Sequence, residues 1–139
     1  MKQFQHQFTV PTSGQRMFDI TRDVADMVRK AAVTTGIAHV YCRHTSASLI
    51  INENADPDVQ HDLEAFLKQL VPDGDPAFIH TLEGPDDMSA HIKTALTATS
   101  LGIPVSGGKL ALGTWQGIYL FEHRVAPHER HVVVHVTGE

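Results

Sequence analysis

The chain has 139 residues, 42% of them hydrophobic, and a formal net charge of −5, which suits one domain, residues 1–139, with its own core. Charged residues make up only 19% and are mixed along the sequence, which argues against nucleic-acid binding through clustered Lys and Arg. No apolar run approaches the roughly 18–20 residues of a membrane span, and a single cysteine, Cys42, points to a reducing, cytoplasmic setting without internal disulfides.

The opening segment MKQFQHQFTV lacks the long apolar stretch of a secretory leader. Within it, Phe4, His6, Phe8 and Val10 alternate with Gln5, Gln7 and Thr9, the period of a strand. Asp19-Ile20-Thr21 then opens a helical stretch to about Thr35. Its apolar stripe is Ile20, Val24, Met27, Val28 and Ala31, with Gly36 as the stop. Residues 37–43 and 47–52 read as strands. His44-Thr45-Ser46 between them is short enough for a hairpin-like turn. Cys42 keeps register with Ala38 and Val40, as a small buried hydrophobe would.

Asp56-Pro57 is a helix start, an N-cap followed by a proline suited to the first turn. Val59, Leu63, Phe66, Leu67 and Leu70 follow at helical spacing, and Pro72-Asp73-Gly74 ends the run. A third helix is expected over 86–100, with Met88, Ile92, Ala95, Leu96 and Thr99 on one side. Strands near 103–106, 109–113, 117–124 and 131–137 complete the chain. The last sets Val132, Val134 and Val136 against His131, Val133 and His135. Seven strands and three helices, with strands grouped at the end, define an α+β fold.

No Walker, Rossmann, zincin, α/β-hydrolase or CxxC motif is present. Candidate chemistry lies in three blocks. The first is HTSASLIINENADPDVQHD, residues 44–62, whose polar groups His44, Thr45, Asn52, Glu53, Asn54, Asp58 and Asp62 flank an apolar middle. Asp58 and Asp62 share a helix face, where they serve either chemistry or the helix dipole. The second is His80, Glu83 and His91, two imidazoles and a carboxylate within a dozen residues, the inventory of a transition-metal site. Alone, His91 could equally be a hydrogen-bonded core histidine. The third is GTWQGIYLFEHR, residues 113–124. Here Trp115 could stack on a flat ring or anchor the core, and Gln116 could read a ring's polar edge. Glu122 and Arg124 form a charged pair on the apolar face of Ile118 and Leu120. The remaining histidines, His6, His39, His61, His123, His128, His131 and His135, read as surface residues.

Together, HTSASLIINENADPDV, HTLEG at 80–84, AHIK at 90–93, LGTWQGIYLFEHR and the final VTGE strongly resemble the YjbQ family. That family is a conserved, uncharacterised group also described as secondary thiamine-phosphate synthase. The resemblance covers nearly the whole chain. It implies a compact α+β domain with a β-sandwich core, assembled as a homotrimer, with a polar cleft that a subunit boundary could supply. It also implies metal, zinc or magnesium, with His44, His80 and His91 as ligands and Glu53 or Glu83 nearby. Asp62, Glu83, Asn52, Glu53 and Asp58 are then the catalytic candidates. Thr45, Asn54, Trp115, Gln116 and Arg124 are the substrate-binding ones.

The reaction implied joins a pyrimidine methyl diphosphate to a thiazole phosphate, so the partner is a small phosphorylated molecule. Lys93, Arg124 and Arg130 are available for phosphate. Two other readings are a metal-dependent hydrolase, with Glu83 or Asp62 as general base, and a non-catalytic trimer that binds metal or metabolite.

Overall fold

The computed structural model describes residues 1–139. Eight strands and three helices follow one another in the chain. They are β1 (Lys2–Thr12), β2 (Met17–Asp19), α1 (Thr21–Ala31), β3 (Thr35–Cys42), β4 (Ala47–Glu53), α2 (Pro57–Leu70), α3 (Asp87–Leu96), β5 (Ser100–Ser106), β6 (Lys109–Leu110), β7 (Gln116–Glu122) and β8 (His128–Gly138). The α+β reading with three helices is the observed architecture. The extra strand is β2, whose three residues are too few to show a period.

A five-stranded sheet runs in the order β1-β8-β3-β5-β6, and a three-stranded sheet in the order β2-β7-β4. All pairings are antiparallel. The alternation read in β8 is the one observed. Val132, Val134 and Val136 are buried with Ala38, Val40 and Ile103 of the same sheet, and meet Leu49, Ile118 and Leu120 of the other. The stripe of α1 completes this core through Ile20, Val24, Met27, Val28 and Ala31.

Several sequence expectations are corrected. α1 ends at Ala31 rather than Thr35, because Ala32 turns left-handed (φ 54°) and caps the helix through its N–H to Arg29 O. Gly36 does not stop the helix; it lies inside β3. A Cβ there would collide with the carbonyl oxygen of Thr137, so the glycine is required by the close approach of β3 to β8. The β6 pairing is confined to Lys109–Leu110, shorter than the run expected over 109–113.

The link His44-Thr45-Ser46 makes no hairpin. β3 and β4 belong to different sheets, so these residues carry the chain from one sheet to the other. Short length alone does not distinguish a hairpin from such a crossing.

α2 starts as expected, with Asp56 accepting from Asp58 N at 2.9 Å and Pro57 in the first turn. Of its apolar stripe only Leu67 is buried, and Phe66 and Leu70 lie exposed. α3 stops at Leu96, short of the predicted Ser100, because Ala98 bridges to Leu49 and Ser100 begins β5. Its buried face is also not the expected one. Asp87, Ser89, Ala90 and Lys93 point inward, whereas Leu96 is exposed. A polar face can be buried only where partners meet it, and those partners shape the site.

Candidate functional site

α3 presents Asp87 and His91 one turn apart on the same face. The preceding loop brings in His80. Nε2 of His80 lies 2.7 Å from Asp87 Oδ2, and Nε2 of His91 lies 3.0 Å from the same oxygen. The two rings stand 5.4 Å apart at 56°. One ligand atom from each of His80, Asp87 and His91 falls within 4.8 Å of the others, a grouping able to hold a metal ion.

Arg124 fixes the carboxylate side of this cluster. Its Nη1 donates to Asp87 Oδ1 at 2.7 Å, its Nε to Asp86 Oδ2 at 3.1 Å and its Nη2 to Glu83 O at 2.9 Å. Val125 N also donates to Asp86 Oδ2. Burial alone would raise the Asp87 carboxyl. The His80 hydrogen bond and the charges of His91 and Arg124 outweigh it and hold the group below its ordinary value. Asp86 is held low in the same way, against burial, by Val125 N and Arg124. Arg124 therefore does not pair with Glu122, as its sequence spacing suggested. It lies past the end of β7 and reaches the start of α3 instead.

Glu122 has its own partner. Its side chain is fully buried and accepts from Arg130 Nε at 2.7 Å, Arg130 Nη2 at 2.5 Å, Thr12 Oγ1 at 2.6 Å and Arg124 N at 3.0 Å. Arg130 also donates to Ser46 Oγ at 3.0 Å, which ties the sheet crossing to β8.

His44 stands beside this pair, apart from His80 and His91. His131 N donates to its Nε2 at 2.7 Å, and its ring stacks on His131. Burial, then the nearby Arg130 charge, push its pKa down to about 4, so the ring is neutral. It shares a cavity of about 560 Å³ with Tyr41, Thr45, His91 and Thr99. Thr45 contributes its carbonyl, which accepts from His91 Nδ1 at 2.9 Å.

The other sequence candidates lie at the far end of β4 and β7. The register pairs Ala47 with Glu122 at one end and Glu53 with Gln116 at the other, about 20 Å apart at strand rise. There Asn54 N donates to Trp115 O at 3.0 Å, and Asn54 Nδ2 donates to Gln116 O at 3.3 Å. Glu53 Oε2 accepts from Ala55 N and Asp56 N, and Asn52 Oδ1 from Glu53 N. Trp115 is 62% exposed and so is no core anchor. Asp58 and Asp62 are exposed on α2, and the Asp62 carboxylate has His61 as its side-chain hydrogen-bond partner. Glu83 is exposed as well. One chain thus brings together His80, His91 and Arg124, joins the Thr45 carbonyl to His91, leaves His44 on the Arg130 side of a shared cavity, and sets Asn52, Glu53, Asn54, Trp115 and Gln116 at a second locus.

Sequence reasoning missed Asp86 and Asp87. The signal was available as Asp87-x-x-x-His91, an i, i+4 pair on one helix, but Glu83 offered a carboxylate closer to His80 in the chain. It also placed His123 on the surface, whereas the side chain is 1% exposed. His123 Nε2 lies 2.8 Å from Ser48 Oγ, which accepts from Thr97 Oγ1 at 2.6 Å. Burial, then the Lys93 charge, push the His123 pKa from 6.5 down to about 3. The unfolded chain takes up this proton near pH 6.5 and the folded chain does not. Stability is therefore full above that pH and falls as the pH drops toward 3, by about 1.4 kcal/mol per pH unit from this group. Urea unfolding across this range should show the slope, and His123→Gln should remove that share; an unchanged slope in the variant would reject the assignment.

An α+β domain of two antiparallel sheets, with a buried carboxylate gripped by an arginine and faced by two histidines, is the class that fold and site define. The family described as UPF0047 protein YjbQ-like matches residues 6–139, and the chain belongs to it. A UPF0047 protein from Synechocystis, sll1880, is 50% identical over 138 residues, covering 99% of this chain and 94% of its own. YjbQ of Escherichia coli O157:H7 is 46% identical over 121 residues, 87% of this chain and 85% of its own. A solved YjbQ/UPF0047 family protein from Clostridium acetobutylicum superposes with a TM-score of 0.88 at 40% identity, covering 95% of this chain and 99% of that one. A hypothetical protein from Aeropyrum pernix, APE1520, superposes with a TM-score of 0.89 at 34% identity, covering 97% and 98%. No helix is long and apolar enough to cross a membrane.

Proposed function

We propose that this single domain is a metal-dependent enzyme of the secondary thiamine-phosphate synthase type, acting on a small phosphorylated heterocycle in the cytoplasm. The observation that carries the reading is the convergence of His80, Asp87 and His91. Two imidazoles and a carboxylate are a donor set for zinc, and hydrogen bonding in the cluster fits it. His91 Nδ1 faces the Thr45 carbonyl, so the N–H sits there and the Nε2 lone pair is left for a cation. Nε2 nevertheless points at Asp87 Oδ2, an acceptor facing an acceptor unless a proton or a cation lies between them. His44 keeps its Nε2 on His131 N and stands outside this set.

In the joining reaction the thiazole nitrogen attacks the pyrimidine methylene carbon, and the carbon–oxygen bond to diphosphate breaks. A bound divalent cation supplies neutralisation for the departing pyrophosphate. The chain's own contribution is positional. Arg124 holds Asp87, the Thr45 carbonyl holds His91, and Trp115 offers an exposed face on which a flat ring can stack. Metal-loaded protein given both substrates should form thiamine phosphate, and His91→Ala should lose at least about 100-fold, given that even outer partners of metal ligands are worth 10–100-fold. Equal, background-level product from both proteins would reject the reaction.

The exposed carboxylate of Glu83, near the cluster, supports a second reading as a hydrolase with Glu83 as general base. Turnover of phosphoesters, amides or lactones without product from the paired substrates would favour it.

A homotrimer belongs to the same proposal. Ile79 and Leu82 are each 97% exposed beside His80, and Phe66, Leu70 and Trp115 are also uncovered. Uncovered apolar side chains of this size are available to an interaction surface. Assembly would also let the Trp115 end of one copy approach the His80 end of another. The mass in solution should be three times the 15.3 kDa chain; a monomer would reject the trimer. The compartment rests on Cys42, which is free and buried.

A further inference from the structure

Lys93 lies on α3 two residues beyond His91, about 200° round the helix, so it faces away from the metal-ligand candidates. The residue is 2% exposed, and its amine, which makes neither a side-chain hydrogen bond nor an ion pair, meets the wall of a cavity rather than being sealed in the core. Buried lysines are rarely left this way, because an unpaired ammonium is costly. The other basic groups of the interior are spoken for. Arg124 is held by Asp86 and Asp87, and Arg130 by Glu122.

Lys93 lines a separate cavity of about 170 Å³ with Gln15, Lys68, Val71, Pro72 and Asp73. That is room for a small polyatomic ion and little more. The acid in this cavity is already engaged. Asp73 Oδ1 accepts from Ser89 Oγ, and Oδ2 accepts from Gln15 Nε2 at 2.9 Å. Gln15 spends its second donor on His123 O at 3.0 Å. Of the side chains that line the cavity, two are amines and one is a carboxylate, and the donors left unspent are those of Lys68 and Lys93.

We propose that the Lys93–Lys68 cavity binds a small oxyanion, either free inorganic phosphate or the phosphate group of a small monoester. The site is independent of the His80–Asp87–His91 cluster and does not require the enzyme reading above. An anion there would give Lys93 the partner that the fold withholds, through charge-assisted hydrogen bonds.

The test is a titration with inorganic phosphate at constant ionic strength. It follows the Lys93 Cε resonance and the heat of binding in the whole protein, with chelator present so that no metal contributes. Saturable binding that shifts the Lys93 signal is expected, together with about a tenfold or greater loss in Lys93→Met and a smaller loss in Lys68→Gln. His91→Ala should bind phosphate unchanged, which separates this site from the metal reading. Phenyl phosphate is the second arm. Equal or tighter binding assigns a monoester, and binding at least about tenfold weaker assigns the free ion. Absence of saturable binding overturns the proposal, as does an unmoved Lys93 signal. An unchanged affinity in Lys68→Gln does so as well, and that variant, altered at an exposed residue, serves even if Lys93→Met does not fold.

Discussion

Arg130→Leu is expected to destabilise the protein by about 3–5 kcal/mol, the cost of stripping one partner from a buried ion pair. Total stabilities of domains are about 5–15 kcal/mol, so this variant would fold marginally. The reason is the position of Glu122, fully buried at the end of β7. Burial would raise its carboxyl, but Arg130, Thr12 and Arg124 N together hold it below its ordinary value. Without the guanidinium the charge has two weaker donors and no counterion.

The pH dependence gives a second check. In the wild type, Glu122 stabilises the fold above its ordinary carboxylate value, and this is lost as pH falls through the lower folded value. In Arg130→Leu the folded value moves above the unfolded one, so the variant gains relative stability in acid. The gap between the two proteins, measured by urea unfolding, should narrow as the pH is lowered from neutral. A difference below about 1 kcal/mol at neutral pH would show that the pair is not the anchor described.

Asp87→Asn is expected to reduce zinc retention by at least about 100-fold, since the change removes an anionic ligand while keeping its shape. The amide oxygen of the substituted side chain can still accept from Arg124, so the fold should survive. His44→Ala makes the informative comparison. The family resemblance implies His44 among the ligands, whereas the site proposed above has Asp87 in its place. Elemental analysis after dialysis should find about one zinc per chain in His44→Ala and in the wild type, and almost none in Asp87→Asn. Zinc retained by Asp87→Asn and lost by His44→Ala would reverse the assignment.

Legibility in the sequence followed the kind of interaction involved. α1 and β8 were readable because each buries one uniform apolar face, and a face leaves a period. The crossing at His44–Ser46 was not, since whether two adjacent strands pair depends on sheets assembled from distant segments. α3 misled for a related reason. Its apolar residues are partly exposed and its acids are buried, because Arg124, thirty-seven residues beyond Asp87, neutralises them. No window of local sequence contains that pairing. His123 was read as a surface residue on the same account, as it is buried by elements remote in the chain. The blocks that identified the family did name His80, His91 and Trp115, but not which of the named residues stand together.

The order β1-β8-β3 carries a consequence for how the molecule assembles. The strand that comes last in the chain sits in the interior of the larger sheet, bonded on one side to the first strand and on the other to the third. Until β8 inserts, β1 and β3 have no common neighbour, and the valines that seal the core are missing. Folding must therefore wait for contacts spanning more than a hundred residues, an ordering that slows collapse into the final state. The same arrangement acts as a lock. Detaching this strand would cut β1 off from β3, β5 and β6, so loss of the C-terminal segment should not fray an edge but abolish the fold as a whole.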